Sequence, residues 1–205
     1  MKKILLALVA LILVAIVSLG VLAFVSPADF KVERDVVINK PKSEVFDYLK
    51  MLKNQNEWGP WVQRDPNIKL SYSGNDGEVG FVSKWDSEHE QVGVGEQEIK
   101  KITDGERIDT EIRFIKPWES TTNGFMTTTD AGEGKTKVSW GFTGSMPRPW
   151  NLMLLFTPFE EEVAKDFDAG LAKLKSVLEK GPSPEKEESE DDAKDAEKKE
   201  DQEKE

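Results

Sequence analysis

The hydrophobic residues of this chain follow three different patterns, and the first is a continuous apolar run near the N-terminus. Residues 4–25 carry no charge, and at about 1.5 Å per residue they make roughly 33 Å of helix, enough to cross a bilayer core of about 30 Å. The run is longer than the apolar stretch of about 7–15 residues in a cleaved signal peptide, which is the alternative interpretation. We therefore predict an uncleaved transmembrane anchor over residues 1–26.

Two lysines set the expected orientation of this anchor. Lys2 and Lys3 stand at its short end, and positive charge favours the cytoplasmic side of a membrane. We expect a single-pass protein of the cell membrane, with its N-terminus in the cytoplasm and its folded domain on the extracytoplasmic side.

The second pattern, a spacing of three and four residues, predicts a long amphipathic helix near the end of the chain. Its apolar stripe consists of Phe159, Val163, Phe167, Leu171, Leu174 and Leu178. The stretch from Thr157 to Glu160 has the spacing of a capping box, with Pro158 at the first helical position. Gly181 and Pro182 are expected to end the helix.

The third pattern has a period of two and predicts half-buried antiparallel strands. The alternation is clearest over residues 79–85, 108–114 and 138–142. Parity assigns the inward positions to Val79, Phe81, Trp85, Ile108, Thr110, Ile112, Phe114, Val138, Trp140 and Phe142. Further strands are predicted over residues 32–38, 68–72, 92–102 and 121–128. A short helix after Pro41 precedes most of these strands and buries Val45, Phe46 and Leu49.

The order of these elements predicts an α+β fold. One curved antiparallel sheet of about six to seven strands would wrap around the long C-terminal helix. The folded domain is expected to span residues 27–181, which is the size of one compact domain.

The net charge of −11 changes this picture mainly at the C-terminus, because residues 185–205 hold 12 acids and 5 bases. Residues 182–205 contain no apolar residue larger than alanine, so they cannot bury enough surface to offset ordering and are predicted to be disordered. They form a solubilising tail or, alternatively, a tail for a basic partner. The rest of the chain has no basic stripe, which disfavours nucleic-acid binding.

The composition also restricts the chemistry that is available. The chain has no cysteine and a single histidine, so disulfides, thiolate nucleophiles, cysteine zinc sites and multi-histidine metal sites are excluded. His89 lies in a polar cluster between two predicted strands and is expected to be a solvated loop residue. No metal and no cofactor is predicted, and no catalytic residue is assigned. The carboxylates that would become acid or base if they faced a cavity are Glu57, Asp65, Glu96 and Glu98.

Aromatic residues dominate the predicted core. Trp58 and Trp61 bracket a Gly59-Pro60 bend, which is expected to fix both rings as a structural anchor first and a ligand wall second. The candidate wall of a ligand cavity comprises Trp58, Trp61, Phe81, Trp85, Phe114, Trp140, Phe142, Phe167 and Leu171. Ordinary core packing is the alternative for each of these residues.

A second apolar stretch precedes the long helix and is too short to span a membrane. Its residues Met153, Leu154, Leu155 and Phe156 form a candidate lid over the cavity. The alternatives are a segment that dips into the membrane beside the anchor, and a short helix packed under the sheet.

Several stretches of the chain resemble the SRPBCC superfamily, and within it the polyketide cyclase/dehydrase and lipid-transport group. The resemblance covers residues 30–180 and rests on VERDVVINKPKSEVFDYLKMLKNQNEWGPW, VGFVSKW, GVGEQEI and DFDAGLAKLK. It implies a START-like helix-grip fold that encloses a deep hydrophobic cavity. Where members of the family often have a serine between tryptophan and proline, this chain has Gly59, so a role for that hydroxyl is not carried over.

Three hypotheses for the function follow. The leading one is a membrane-anchored, non-enzymatic binding or carrier protein for a hydrophobic, lipid-like small molecule. The second is an enzyme of the cyclase or dehydratase kind that uses a cavity carboxylate. The third is a cell-envelope interaction module without a small ligand.

Overall fold

The computed structural model describes residues 2–180 of the chain. It contains six α-helices: α1 (Lys2–Val25), α2 (Lys42–Lys50), α3 (Gln55–Trp58), α4 (Pro60–Arg64), α5 (Met153–Phe156) and α6 (Phe159–Lys180). It contains seven strands: β1 (Asp29–Ile38), β2 (Lys69–Ser73), β3 (Val82–Asp86), β4 (Val94–Thr103), β5 (Arg107–Lys116), β6 (Ser120–Asp130) and β7 (Thr136–Ser145). The predicted helix stop at Gly181 and the predicted tail lie outside the described residues.

The seven strands form one open antiparallel sheet in the order β1-β7-β6-β5-β4-β3-β2. Consecutive strands from β2 to β7 are neighbours, and β1 closes the far edge by pairing with β7. A register shift in β4 between Ile99 and Lys101 interrupts the ladder with β5, and such bulges bend the strand that carries them. The α+β architecture predicted from the periodicity is therefore confirmed.

Helix α6 packs on one half of the inner sheet face, against β1 and β7, and α2 lies against β6. The predicted apolar stripe of α6 is buried from Phe167 to Leu178, while Phe159 and Val163 at the start of the helix are half-buried. Gly170 belongs to the same buried face, because a Cβ there would meet the Trp140 ring at 2.8 Å. The helix therefore approaches the sheet closely at this point.

The two ends of the sheet differ in chemistry. Helix α1 stops just before β1, and Asp29 at the start of β1 pairs with Ser145 at the end of β7. The β5–β6 hairpin and the β3–β4 loop lie at this same end, because their strands are antiparallel neighbours. We call this end the α1 end of the sheet. The turns at the opposite end carry Asn75, Asp76, Asp104 and Glu133.

Two local predictions were wrong. Val79 shares parity with Phe81 but precedes β3 in a turn, where it is 62% exposed rather than in the core. The Thr157 hydroxyl donates to the carbonyl of Met153 at 2.8 Å, so it closes the end of α5 rather than capping α6. In both cases a neighbouring turn, which the periodicity does not describe, decides the outcome.

Candidate functional site

One half of the candidate wall is a closed aromatic cluster between α6 and the sheet. Trp140 of β7 stacks on Phe167 of α6 with ring centroids 4.1 Å apart and planes at 12°. Trp58 and Trp61 meet Trp140 edge-on at 4.9 and 5.6 Å, and Phe142 meets Phe167 edge-on at 5.5 Å. Edge-on and stacked contacts are the favourable arrangements of aromatic rings. These residues fill the interior of this half as packed core.

The Gly59-Pro60 bend places Trp58 and Trp61 in this cluster. Trp58 ends α3 and is 1% exposed, and α4 begins at Pro60 with the half-buried Trp61 next along the chain. The Gly59 amide donates to the Gln55 carbonyl at 2.6 Å, and a Cβ at Gly59 would lie 2.6 Å from that same oxygen. The tight turn thus explains why glycine stands here.

The other half of the inner sheet face is more open. Helix α6 does not cover this half. The inward-facing side chains here are exposed or half-buried: Leu70, Ser83, Trp85, Gln97, Ile112 and Phe114. Trp85 and Phe114 meet edge-on at 6.0 Å, and Phe114 is 36% exposed. Gly95 lies between them on β4, where a Cβ would come within 2.4 Å of the Trp85 ring. We call this surface the open inner face.

Several polar groups border the open inner face. The Gln97 amide donates to the Thr110 hydroxyl at 3.1 Å. The Thr122 hydroxyl is buried and has no hydrogen-bond partner in the described part of the chain. Thr122 pairs with Ile112 across β6 and β5, at the boundary between the open inner face and the aromatic cluster. An unsatisfied buried hydroxyl costs about 1–3 kcal/mol, so a partner there would stabilise the site.

The remaining wall residues lie apart from both groups or beneath them. Phe81 is 1% exposed and stacks on Tyr72 at 6.0 Å, near the edge of the sheet. Leu171 is 2% exposed on the buried face of α6. Leu70, Gln97, Ile112 and Thr122 were missed as site residues. Strand parity places Ile112 inward, but parity does not tell which inward positions a helix covers.

Glu96 and Glu98 point away from the inner face. Arg113 donates to Glu96 at 2.7 Å and to Glu98 at 2.8 Å, and Lys84 and Lys100 pair with them on the outer face. The hydrogen bond from Lys84, and then that from Arg113, lowers the pKa of Glu96, while the bond from Arg113 comes first for Glu98, whose pKa is also lowered. Both carboxylates are therefore ionised partners in a surface ion network.

Asp65 is buried, and its carboxylate joins two loops through hydrogen bonds. The Ser87 hydroxyl donates a hydrogen bond to the Asp65 carboxylate, and the backbone N–H of Asn67 donates to the same carboxylate at 2.8 Å. The bond from Ser87, followed by that from Asn67, lowers the pKa of Asp65 below its usual range. A general acid at neutral pH needs the opposite shift. His89 is exposed on the loop that begins at Ser87, and its Nδ1 accepts a hydrogen bond from the backbone N–H of Gln91 at 3.2 Å.

Glu57 is the fourth candidate carboxylate and is half-buried. It accepts a hydrogen bond from the Tyr48 hydroxyl at 3.2 Å. Burial, and then the charge of Glu57, raises the pKa of Tyr48. The pair joins α2 to α3.

A separate groove opens on the outer face of the sheet, with a volume of about 320 Å³. Its polar rim includes Lys31, Glu33 and Asp109, and Phe125 lies within it at 8% exposure. The Arg107 guanidinium covers the Phe125 ring at 4.5 Å. The sheet separates this groove from the inner face.

The candidate lid is attached to the end of α1. Asn151 is fully buried, and its amide donates to the carbonyls of Ala23, Ser26 and Pro27 at 2.8, 3.2 and 3.3 Å. Arg148 donates to the carbonyl of Ala23 at 3.1 Å. Three of the four lid residues, Met153, Leu155 and Phe156, are between 49% and 76% exposed. The segment lies at the α1 end rather than packed under the sheet.

Comparison with known proteins identifies the family. The family model for polyketide cyclase/dehydrase and lipid transport matches residues 29–179, so the chain belongs to this family. The match begins after α1, which lies outside it. No curated protein matches the chain.

Solved structures share the fold at low sequence identity. Norcoclaurine synthase from Thalictrum flavum, in complex with dopamine and hydroxybenzaldehyde, has 9% identity, a TM-score of 0.57 and coverage of 80% of this chain and 94% of its own. A protein from Thermobifida fusca has 13% identity, a TM-score of 0.55 and coverage of 71% and 90%. A protein from Chromobacterium violaceum has 16% identity, a TM-score of 0.51 and coverage of 75% and 98%. These likenesses show the helix-grip fold.

Proposed function

We propose that this protein is a membrane-anchored binding or carrier protein for a hydrophobic, lipid-like small molecule. The molecule lies against the open inner face, between β2 and β5. Helix α1 crosses the cell membrane once, with Lys2 and Lys3 in the cytoplasm and the domain on the other side. Within residues 2–180, α1 is the one helix long and apolar enough to cross a membrane.

The observation that carries this proposal is the exposure of apolar side chains on the inner sheet face. Soluble domains normally cover such a surface with a helix, and α6 does so over β1 and β7. Over β3 and β5, Trp85 and Phe114 instead form an edge-on pair that a flat or chain-like apolar molecule would cover. Ligand sites are typically lined by such aromatic groups with a few polar ones.

The polar groups at the border indicate the second property of the ligand. The free Thr122 hydroxyl and the Gln97 side chain suit a molecule that carries a hydroxyl or carbonyl group at one end. The body of such a molecule would lie on Ile112 and Phe114. This supports a ligand with an apolar body and one polar end.

The positions of the carboxylates support binding rather than catalysis. Glu96 and Glu98 are ion-paired on the outer face, and Asp65 is held ionised between two loops. A cyclase-type reaction would need a carboxyl on the ligand side of the sheet. The positions of these three of the four candidate acids therefore favour the carrier over the enzyme, and the fourth, Glu57, accepts a hydrogen bond from Tyr48.

A matched pair of substitutions on β3 tests this proposal. Ser83 faces the open inner face and Val82 faces outward, and both are half-buried. Ser83→Trp should weaken binding of a dansyl-labelled undecanoic acid to residues 27–181 by about tenfold, or about 1.4 kcal/mol, because the indole would occupy the space on the open inner face that the probe covers. Val82→Trp should leave binding unchanged.

Fluorescence titration of the dansyl probe measures both variants, and circular dichroism checks that each is folded. Equal weakening by the two substitutions would place the probe elsewhere. Failure of the unsubstituted domain to bind the probe would overturn the proposal.

A further inference from the structure

Large apolar side chains are exposed at the α1 end of the sheet. Trp118 on the β5–β6 hairpin is 80% exposed, Phe156 at the end of α5 is 76% exposed and Trp150 is 65% exposed. Ile115, Met153 and Leu155 add to them at 48–50% exposure. Soluble surfaces rarely group so many large apolar residues, which marks a contact site.

Their placement follows from the topology of the sheet. The hairpin between β5 and β6, the exit from β7 and the entry to β1 all lie at the α1 end. The turns at the opposite end, around Asn75, Asp104 and Glu133, are mostly polar, with Val79 as an exposed apolar exception. The exposed tryptophans and Phe156 thus lie at the end from which α1 leaves the domain.

A physical connection holds part of this surface at the end of α1. The side-chain amide of Asn151, which is buried beside Trp150, donates to the Ala23 carbonyl in α1 and to two carbonyls of the segment that links α1 to β1. Arg148 donates to two carbonyls of the last turn of α1. The Arg148 guanidinium also covers the ring of Phe24 at 5.4 Å. The segment from Trp150 to Phe156 therefore begins at the level where α1 would leave a bilayer.

We propose that the α1 end of the domain, through Trp118, Trp150 and Phe156, docks on the surface of the bilayer that α1 spans. This rests on the membrane anchor of the proposed function. Tryptophan favours the membrane–water boundary, where its ring is buried in part and its N–H stays hydrated. The open inner face then lies with its Trp85–Phe114 pair near the lipid, since both residues are at the α1 end of their strands.

The charges at this end indicate how the docking works. Acids outnumber bases in the segments next to the exposed apolar residues, with Glu88, Glu90, Glu119, Glu160, Glu161 and Glu162 against Lys116 and Arg148. Attraction to anionic lipid is therefore unfavourable, and insertion depends on the apolar side chains. We expect docking on purely zwitterionic phosphatidylcholine.

The absence of cysteine from the chain makes a direct test available, because a single introduced cysteine is the only site for a label. Nitroxide labels are placed at Trp118→Cys, Trp150→Cys and Phe156→Cys in the full chain, reconstituted in phosphatidylcholine vesicles. Leu13→Cys reports on α1, and Asn75→Cys reports on the opposite end of the sheet. All five positions lie on exposed surfaces or turns, so folding should be retained.

The accessibility of each label to oxygen and to a water-soluble nickel complex is measured by paramagnetic resonance. The labels at positions 118, 150 and 156 should have low nickel accessibility and high oxygen accessibility, like the label at position 13. The label at position 75 should have high nickel accessibility. The docking proposal would be overturned if the labels at positions 118, 150 and 156 were as accessible to nickel as the label at 75. The membrane anchor would still hold in that case if the label at position 13 were in lipid. A label at 13 that meets nickel freely would overturn both.

Discussion

Two arginines in the middle of α1 are expected to abolish membrane attachment. Leu11→Arg together with Val14→Arg places two charges near the centre of Lys2–Val25. Each costs about 2.5–3.5 kcal/mol at the middle of a spanning helix, so the pair removes much of the free energy of insertion. The full chain should move from the membrane pellet to the soluble fraction after an alkaline wash.

The control for this experiment keeps the helix apolar. Leu11→Ile with Val14→Ile changes the same positions without charge and should sediment with the membranes, as the unsubstituted chain does. A doubly charged chain that still sediments would show that α1 is not what holds the protein at the membrane. An unsubstituted chain found in the soluble fraction would support cleavage of the segment.

Truncation of the central tryptophan of the core is expected to give the second large effect. Trp140 is 7% exposed and contacts Trp58, Trp61 and Phe167. Trp140→Ala should lower the free energy of unfolding of residues 27–181 by about 3–5 kcal/mol, the range for such a deletion in a packed core. This is a large part of the about 5–15 kcal/mol that stabilises a typical domain.

Urea unfolding followed by circular dichroism measures this change, with Trp118→Ala as the control. Trp118 is 80% exposed, so its removal should change the free energy by less than about 0.5 kcal/mol. A loss below about 1 kcal/mol for Trp140→Ala would mean that the cluster is loosely packed. The ligand space would then extend under α6 rather than stop at Thr122.

The helices and strands could be predicted because each leaves a local periodic signal. The stripe from Phe159 to Leu178 has the period of a helix, and Ile108 to Phe114 has that of a strand. The structure confirms both, with α6 and β5 at these positions. The fold class follows from their order together with the family resemblance.

The division of the inner face could not be predicted, because it depends on contacts between distant parts of the chain. Trp140 and Trp85 have the same inward parity, yet α6 covers only the first. Which strands lie beneath the helix is decided by the pairing of β1 with β7, a contact between the two ends of the domain. The candidate wall therefore combined core residues with residues of the open inner face.

The acids on β4 show that parity alone does not identify the inner face of a strand. Glu96 and Glu98 share parity with Val94, and the register of β4 with β3 is unbroken from Val94 to Glu98. Gly95 and Gln97 therefore face inward, while Val94 and the two glutamates lie on the outer face with Arg113. The apolar side chain of Val94 did not mark the inner face, because single apolar residues are also common on exposed surfaces.

The attachment of the lid segment to α1 was also beyond local prediction. The pattern MLLF at residues 153–156 indicates only an apolar segment. The sequence does not show that the side-chain amide of Asn151 donates to carbonyls in and just after the last turn of α1, more than a hundred residues earlier in the chain. That contact links the anchor to the surface beside the open inner face.

The central claim is that the domain binds an apolar molecule. Native mass spectrometry of residues 27–181 tests this claim most directly. The domain is purified from cells without detergent and incubated with total lipid extract before the measurement. We predict a reproducible added mass that extracts into organic solvent, and its loss in Ser83→Trp. A spectrum that shows only the mass of the polypeptide after this incubation would contradict the claim.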